Sequence, residues 1–360
     1  MIHKRLFIPG PVEVRPEMLL ALARPQYGHR TQEWKDTYKG ICEKLQKVLK
    51  TQQTVMLYTS SSSGAWETAV RQGSLKKILC TTCGAFSERW QQTAELNGIP
   101  HDTLAFDWGK GVKTAEIDKA LATGQYDAVT YVMNETSTGI RNPIEEVCAL
   151  LKSKYPDVFI MVDAVSAMAG EDIPVDDLGI DMIFAGLQKC FGLPAGLTVV
   201  MISDRFFERA KEIKTPGFYF NALKLKGNHD KHQTLTTPSI PQAFALDAQL
   251  DDMFVEGLEN RYKRHAEMAA IVQAWAKEHF AMFSEEGYYS KTVSCIDNTK
   301  GVSIADLNKE LAKHNAMISN GYGKLKETCF RIAHMADTQI WEILGILALI
   351  ERVLGFKKWV

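Results

Sequence analysis

Three hundred and sixty residues, 46% of them hydrophobic and 24% charged, provide for a large core and about two domains, and exclude a disordered or collagen-like polymer. Basic side chains number 42 against 43 acidic ones, spread along the whole chain, so no basic stripe is left to neutralise a polynucleotide and nucleic-acid binding is disfavoured. The longest apolar runs, such as Val199–Ile202 and Leu347–Ile350, fall far short of the roughly 20 residues that cross a bilayer, and Met1–Pro9 has no apolar signal segment, so a soluble cytoplasmic protein without membrane contact is expected.

In chain order, Met1–Val14 contains Pro9-Gly10-Pro11 and no helical period, which predicts an extended arm with no element of its own. From about Thr51 to Ser203, short β-branched runs alternate with amphipathic stretches: Thr54–Tyr58 then Gly64–Gln72, Lys77–Cys80 then Glu88–Asn97. That rhythm predicts an α/β fold on a mostly parallel sheet. Ala128–Met133, Phe159–Val162, Met182–Ala185 and Leu197–Ile202 are near-continuously apolar, as strands covered on both faces are. Open sheets of this kind bind ligands beyond the carboxyl ends of their strands, so the residues following those runs carry most weight. Between Ile240 and His279 the period turns helical, which predicts one long connecting helix kinked near Gly257. Beyond it, strands are expected at Lys291–Cys295, Asn315–Ile318 and Cys329–Ala333, and helices at Ile304–His314 and Asp337–Leu354. The expected organisation is an arm over 1–14, a large domain over 15–255 and a smaller α+β C-terminal domain over 256–360.

Three constellations carry chemistry. Thr59-Ser60-Ser61-Ser62-Ser63-Gly64 follows a strand and opens a helix. Hydroxyls and free N–H groups at a helix N-terminus suit a phosphate, and they equally suit a plain helix cap in a solvated serine loop. Neither a Walker A motif nor GxGxxG is present. Asp163 directly follows the run Phe159–Val162, where a carboxylate either salt-bridges within the scaffold or faces a ligand. Lys189 lies in Phe184-Ala185-Gly186-Leu187-Gln188-Lys189-Cys190-Phe191, and desolvation there would lower its pKa and make it a nucleophile for a carbonyl. Seven scattered cysteines do not form a disulfide framework, and Cys80-Thr81-Thr82-Cys83, with no second CxxC, is expected to be two buried thiols. His229 and His232 are expected in a solvated loop, with no metal site.

Taken in order with Phe7-Ile8-Pro9-Gly10-Pro11, Gly28-His29-Arg30, Asn134-Glu135-Thr136-Ser137-Thr138-Gly139 and Phe330-Arg331-Ile332-Ala333-His334-Met335, these residues resemble the class V aminotransferases. Those are fold type I enzymes dependent on pyridoxal 5′-phosphate, and the likeness is strongest to the alanine/serine–glyoxylate (serine–pyruvate) branch and covers nearly the whole chain. The resemblance implies that Lys189 bonds the cofactor and moves the substrate proton, and that Asp163 pairs with the pyridinium nitrogen. Ser61, Ser62 and Ser63 would hold the phosphate, with Gln188 on its other side. Phe86 would stack on the ring, Thr136 would reach the ring oxygen, Val165 would also bind the cofactor, and Gly10 would bind the substrate. Arg331 would bind the substrate α-carboxylate, although without the likeness an arginine on an alternating strand is expected to be exposed. Thr236 and Thr237 would reach the phosphate of a second subunit, which implies a homodimer with shared sites. The implied reaction moves an amino group between a small amino acid, such as alanine or serine, and a 2-oxo acid, such as glyoxylate or pyruvate. A lyase, a phosphonate transaminase or a non-catalytic cofactor-binding protein could use the same scaffold. Ser62 stands where the family commonly has glycine, and Tyr27, His29 and Asn134 do not single out one amino acid.

Overall fold

In the computed structural model, residues 3–356 are described. Met1 and Ile2 of the expected arm, and residues 357–360 at the other end, lie outside them. The strands in chain order are β1 (Arg5–Phe7), β2 (Thr54–Tyr58), β3 (Ile78–Thr82), β4 (His101–Ala105), β5 (Ala128–Val132), β6 (Asn134–Glu135), β7 (Ile140–Arg141), β8 (Phe159–Asp163), β9 (Met182–Gly186), β10 (Thr198–Ile202), β11 (Ala281–Met282), β12 (Val293–Asp297), β13 (Ala316–Asn320) and β14 (Cys329–Ala333). Seven of them form a sheet in the order β2-β10-β9-β8-β5-β3-β4. Only β10 runs against its neighbours, so the sheet is mostly parallel as expected. Strands β5, β8, β9 and β10 are buried along their whole length, which is why they read as unbroken apolar runs. β4 is the edge strand, with half-buried and exposed residues alternating. The helix Gln32–Leu49 packs Trp34, Tyr38, Ile41 and Leu45 into the same core.

Register brings chain segments together at one end of this sheet. Asp163 is the last residue of β8 and lies opposite Phe184, while Thr198 of β10 faces both Gly186 and Tyr58. The segments that leave β2, β8 and β9 therefore emerge side by side. They carry Ser60–Ser63, Asp163–Ser166 and Gln188-Lys189.

The helix after β3 begins at Ala85, earlier than the apolar period indicates, because the Glu135 carboxylate accepts the backbone N–H of Phe86 at 3.2 Å and of Ser87 at 2.7 Å. An acidic group at a helix N-terminus meets unpaired amides and the positive end of the dipole. The connecting helix is two helices, Ile240–Glu256 and Leu258–His279, since Gly257 between them has φ +83°, which glycine adopts without strain. No helix among the described residues is long and apolar enough to cross a membrane.

The second sheet, β1-β13-β14-β12-β11, corrects the expectation of a featureless arm. Arg5, Leu6 and Phe7 pair in parallel with Ala316, Met317 and Ile318. Three residues are too few to show a period, so the strand is made by its partner. Phe7 is buried with Met268, Ile318, Phe330 and Ile343 under the helices Leu258–His279 and Ile340–Leu354. The latter starts after Asp337, at a capping box made by Gln339 and Glu342. Phe7→Ala should cost about 3–5 kcal/mol in denaturant unfolding, as other buried aromatic truncations do; a change within about 0.5 kcal/mol, the scale of a surface substitution, would mean that the segment is a solvated arm.

Candidate active site

Beyond the carboxyl ends of β2, β8 and β9 lies a cavity of about 290 Å³, at the small end of the roughly 300–1,000 Å³ usual for small-molecule sites. Its wall contains Gly10, Ser61, Ser62, Ser63, Phe86, Thr136, Asp163, Val165, Gln188 and Lys189. Ten positions singled out from the sequence thus converge. Gly10 has φ +120°, and a Cβ there would stand 2.7 Å from Lys189 Cδ, so glycine is what lets the N-terminal segment lie against the lysine. A Cβ on Gly186 would fall 2.5 Å from Gln188 Oε1 and 2.8 Å from Ser62 Oγ, so those two polar side chains meet at one place.

Lys189 is buried, and its ammonium donates to the Pro9 carbonyl oxygen. Burial, reinforced by the Arg331 charge, pulls its pKa down to about 8, against the opposing pull of Cys190 and Asp163. Asp163 is buried too, and burial pushes its pKa up to about 7. The Val165 amide at 2.9 Å and the Trp66 indole at 3.1 Å donate one bond to each of its oxygens and hold the rise in check, while the Glu135 charge adds to it. Both groups therefore change charge near neutrality. A perturbed acid and a perturbed base in one cleft mark a functional site.

The Ser61–Ser63 segment enters the helix Ser63–Gln72, where the amides of Gly64, Ala65 and Trp66 donate to the Ser61 and Ser62 carbonyls and no side chain caps the end. Ser62 has right-handed helical backbone angles, φ −58° and ψ −16°, so this position does not require the glycine common in the family. Thr136 Oγ1 is 2.6 Å from Ser166 Oγ. Asn134 also lines the cavity, and its Oδ1 is buried with no partner; so is the Oγ of Ser60, which precedes the lining residue Ser61. Hydroxyls at the positive end of a helix, an amine of lowered pKa and a buried carboxylate fit a ligand with a phosphate, a carbonyl and a protonatable ring nitrogen.

Three expected residues do not line the cavity. Arg331 is buried rather than exposed on β14, and its acceptors are all neutral: the Thr136 carbonyl at 3.2 Å, Ser319 Oγ at 2.9 Å and the Asn320 carbonyl at 3.2 Å. Through Thr136 it stands directly behind the cavity wall. Thr236 borders a separate crevice with Tyr58, Tyr219 and Phe220, and Thr237 is exposed. Tyr27 packs on Phe244, 5.1 Å between ring centres, and neither it nor His29 lines the cavity.

Four lining residues were not expected, Pro11, Trp66, Arg89 and Ala195, and two of them have polar roles. Trp66 holds Asp163, and Arg89 lies 4.9 Å over the Phe86 ring while donating to Tyr322 Oη at 2.8 Å. The spacing Phe86 to Arg89, one helical turn, was the available signal. All seven cysteines are free and buried, and burial pushes Cys80 to about 11 and Cys83 to about 12. His229 is no loop residue: it ends the helix Ala222–His229 and its Nδ1 lies 3.1 Å from Tyr38 Oη, a tertiary contact that the local polarity hid.

The family model of the class V aminotransferases matches residues 18–335. The chain belongs to that family. An uncharacterised aminotransferase of Methanocaldococcus jannaschii is 34% identical, with 99% of this chain and 94% of that protein covered. A serine–glyoxylate aminotransferase of Arabidopsis thaliana is 28% identical, with 97% and 90% covered. An aspartate aminotransferase from Thermus thermophilus superposes with a TM-score of 0.89 at 27% identity, over 97% of this chain and 99% of the other. The fold is therefore the fold type I architecture of the pyridoxal-phosphate-dependent transferases, and the protein is an aminotransferase.

The two shifted groups set a pH dependence for the cofactor-free chain. Asp163 is raised on folding, so its contribution to stability is present below about 3.8 and is lost as pH rises through about 7. Lys189 is lowered, so its contribution is present above about 10.5 and is lost as pH falls through about 8. Together they contribute least between about 7 and 8. In thermal melts from about pH 4 to 7, Asp163→Asn should flatten the fall in Tm with rising pH; an unchanged slope would show that Asp163 is not the raised group.

Proposed function

We propose that this aminotransferase binds pyridoxal 5′-phosphate in the cavity around Lys189 and moves an amino group between a small amino acid, serine or alanine, and a 2-oxo acid, glyoxylate or pyruvate. The observation that carries the reading is the convergence of an amine near pKa 8, a buried carboxylate and three serines at a helix N-terminus on one cavity. The relative named for serine–glyoxylate transfer supports serine as donor, and it and the relative named for L-aspartate–glyoxylate transfer support glyoxylate as acceptor. When bound, the cofactor supplies a ring that accepts the charge left as a proton leaves the substrate α-carbon.

The chain's own residues do the rest. Lys189, partly uncharged near neutrality, is the nucleophile for the carbonyl and afterwards carries the proton to and from the α-carbon. Asp163 would pair with the ring nitrogen, and a positive partner there would return its carboxyl to the charged form, which in turn would keep the nitrogen protonated. Ser61, Ser62 and Ser63 would hold the phosphate with Gln188, Phe86 and Val165 would flank the ring, and Thr136, bonded to Ser166, would reach the ring oxygen. Arg331 offers the α-carboxylate a planar fork, which its present neutral acceptors leave without a competing anion. Gly10 leaves room beside Lys189. Thr236 and Thr237 serve the phosphate of a second copy, in a homodimer with shared sites. Seven unpaired thiols suit a reducing compartment such as the cytoplasm.

The test is a donor and acceptor panel on the loaded enzyme. Amino transfer from serine or alanine to glyoxylate or pyruvate should be one to one. Oxo acid formed without an acceptor would instead mean a lyase, and cofactor binding without conversion a non-catalytic protein. Lys189→Ala should abolish both turnover and the borohydride-trapped lysine adduct; trapping at another lysine in wild type would overturn the assignment. Arg331→Lys keeps the charge and loses the fork, so the preference for an amino acid over its decarboxylated amine should drop roughly tenfold or more, whereas an undiminished preference would assign the carboxylate to another group.

A further inference from the structure

Arg261 is one of the largest fully buried side chains, and nothing in the chemistry above uses it. It follows the break at Gly257, in the first turn of the helix Leu258–His279. Its guanidinium makes four bonds to four segments. Nε donates to the Ala169 carbonyl at 3.1 Å and Nη2 to the Cys190 carbonyl at 2.8 Å. Nη1 donates to Glu256 Oε2 at 3.0 Å and to Asp337 Oδ1 at 2.9 Å. The first two acceptors matter most. Ala169 ends the loop that begins at Asp163, and Cys190 follows Lys189.

Those loops also touch each other. A Cβ on Gly170 would stand 2.8 Å from Cys190 Sγ, and that thiol lies 3.6 Å from the Ser166 carbonyl oxygen. Ala169 has φ +67°, a conformation an alanine holds only where its surroundings impose it. The bond from Arg261 is such an imposition. On the far side, Asp337 also accepts from Arg15 at 2.7 Å, and a Cβ on Gly192 in the lysine loop would meet Asp337 Oδ2 at 3.2 Å.

We propose that Arg261 is the positioning residue of this active site: it clamps the loop of Asp163 to the loop of Lys189 and fixes both against the segment that follows β14. The role rests on the reading of Lys189 and Asp163 given above. Five N–H donors in a rigid plane can serve two carbonyls and two carboxylates at once, which a lysine cannot. Nor does removing the guanidinium strand a charge, because Asp337 keeps Arg15 and Glu256 keeps Arg264 at 2.7 Å. Arg261→Met is therefore expected to fold, with the two loops released.

Two readouts separate positioning from general stability. The first is amide hydrogen exchange of the full chain, where Arg261→Met should speed exchange in 164–170 and 189–193 by about tenfold relative to the strands, the scale of a lost bond from a charged donor. The second is the pH midpoint at which Lys189 of the cofactor-stripped chain is trapped by pyridoxal phosphate and borohydride. Burial holds it below the ordinary lysine value in wild type, and it should rise by roughly one unit in Arg261→Met as water enters the loosened loops. Arg264→Met, which removes bonds to Glu256, Ala336 and Thr338 but none to either loop, should lower Tm and move neither readout. Arg261→Lys, retaining the charge, should fall between wild type and Arg261→Met and serves if the latter does not fold. Wild-type exchange and midpoint in the folded Arg261 variants, or equal effects from Arg264→Met, would overturn the proposal. Absence of trapping at Lys189 in wild type would overturn the reading of the site instead, leaving the exchange arm to judge Arg261.

Discussion

A lysine amine and an aspartate carboxyl are buried in one cavity, and neither has the partners that a buried charge requires. Lys189 has the Pro9 carbonyl, and Asp163 has one amide and one indole N–H. Burial of a charge is costly unless it is paired, and the outcome here is two groups drawn toward neutrality from opposite sides. The chain tolerates this because the surrounding backbone leaves them nowhere else to go. Asp163 is the last residue of a strand buried along its length, and Lys189 follows another by three residues.

Several separate segments bring that arrangement about. The sheet sets the two loops side by side, and the N-terminal segment supplies Pro9 and Gly10 across the lysine while its residues Arg5–Phe7 belong to the other sheet. Glu135 organises the opposite wall: by accepting the Phe86 and Ser87 amides it fixes the start of a helix and hence the place of Phe86. Arg331 reaches the same wall from β14 through the Thr136 carbonyl. Both sheets thus bear on the cavity, and beside burial the Arg331 charge on β14 helps lower the Lys189 pKa.

What the sequence made legible follows from how local the physical cause is. Strands covered on both faces announce themselves as apolar runs, so β5, β8, β9 and β10 and the residues at their ends could be read directly. Lys189 was conspicuous as a lysine among apolar neighbours. β1 was hidden, since three residues carry no period and its pairing with β13 is a tertiary event. The break at Gly257 could be read as a kink, but its positive φ could not be seen. Arg331 sits on a strand whose residues all prove buried, where alternation had indicated an exposed side. Trp66 and Arg89 look locally like ordinary helix residues, and only the approach of β8 and of Tyr322 gives them partners. The same holds for Arg261, whose four acceptors come from segments scattered between Ala169 and Asp337.

The central claim is that the two unsatisfied charges of the cavity are completed by one ligand. A crystal structure of the full chain grown with pyridoxal 5′-phosphate tests it most directly. The account predicts density continuous from Lys189 Nζ to the ligand, its ring nitrogen at hydrogen-bond distance from the Asp163 carboxylate and its phosphate against Ser61–Ser63. Ligand bound elsewhere, or bound here with Asp163 still held only by Trp66 and Val165, would contradict it.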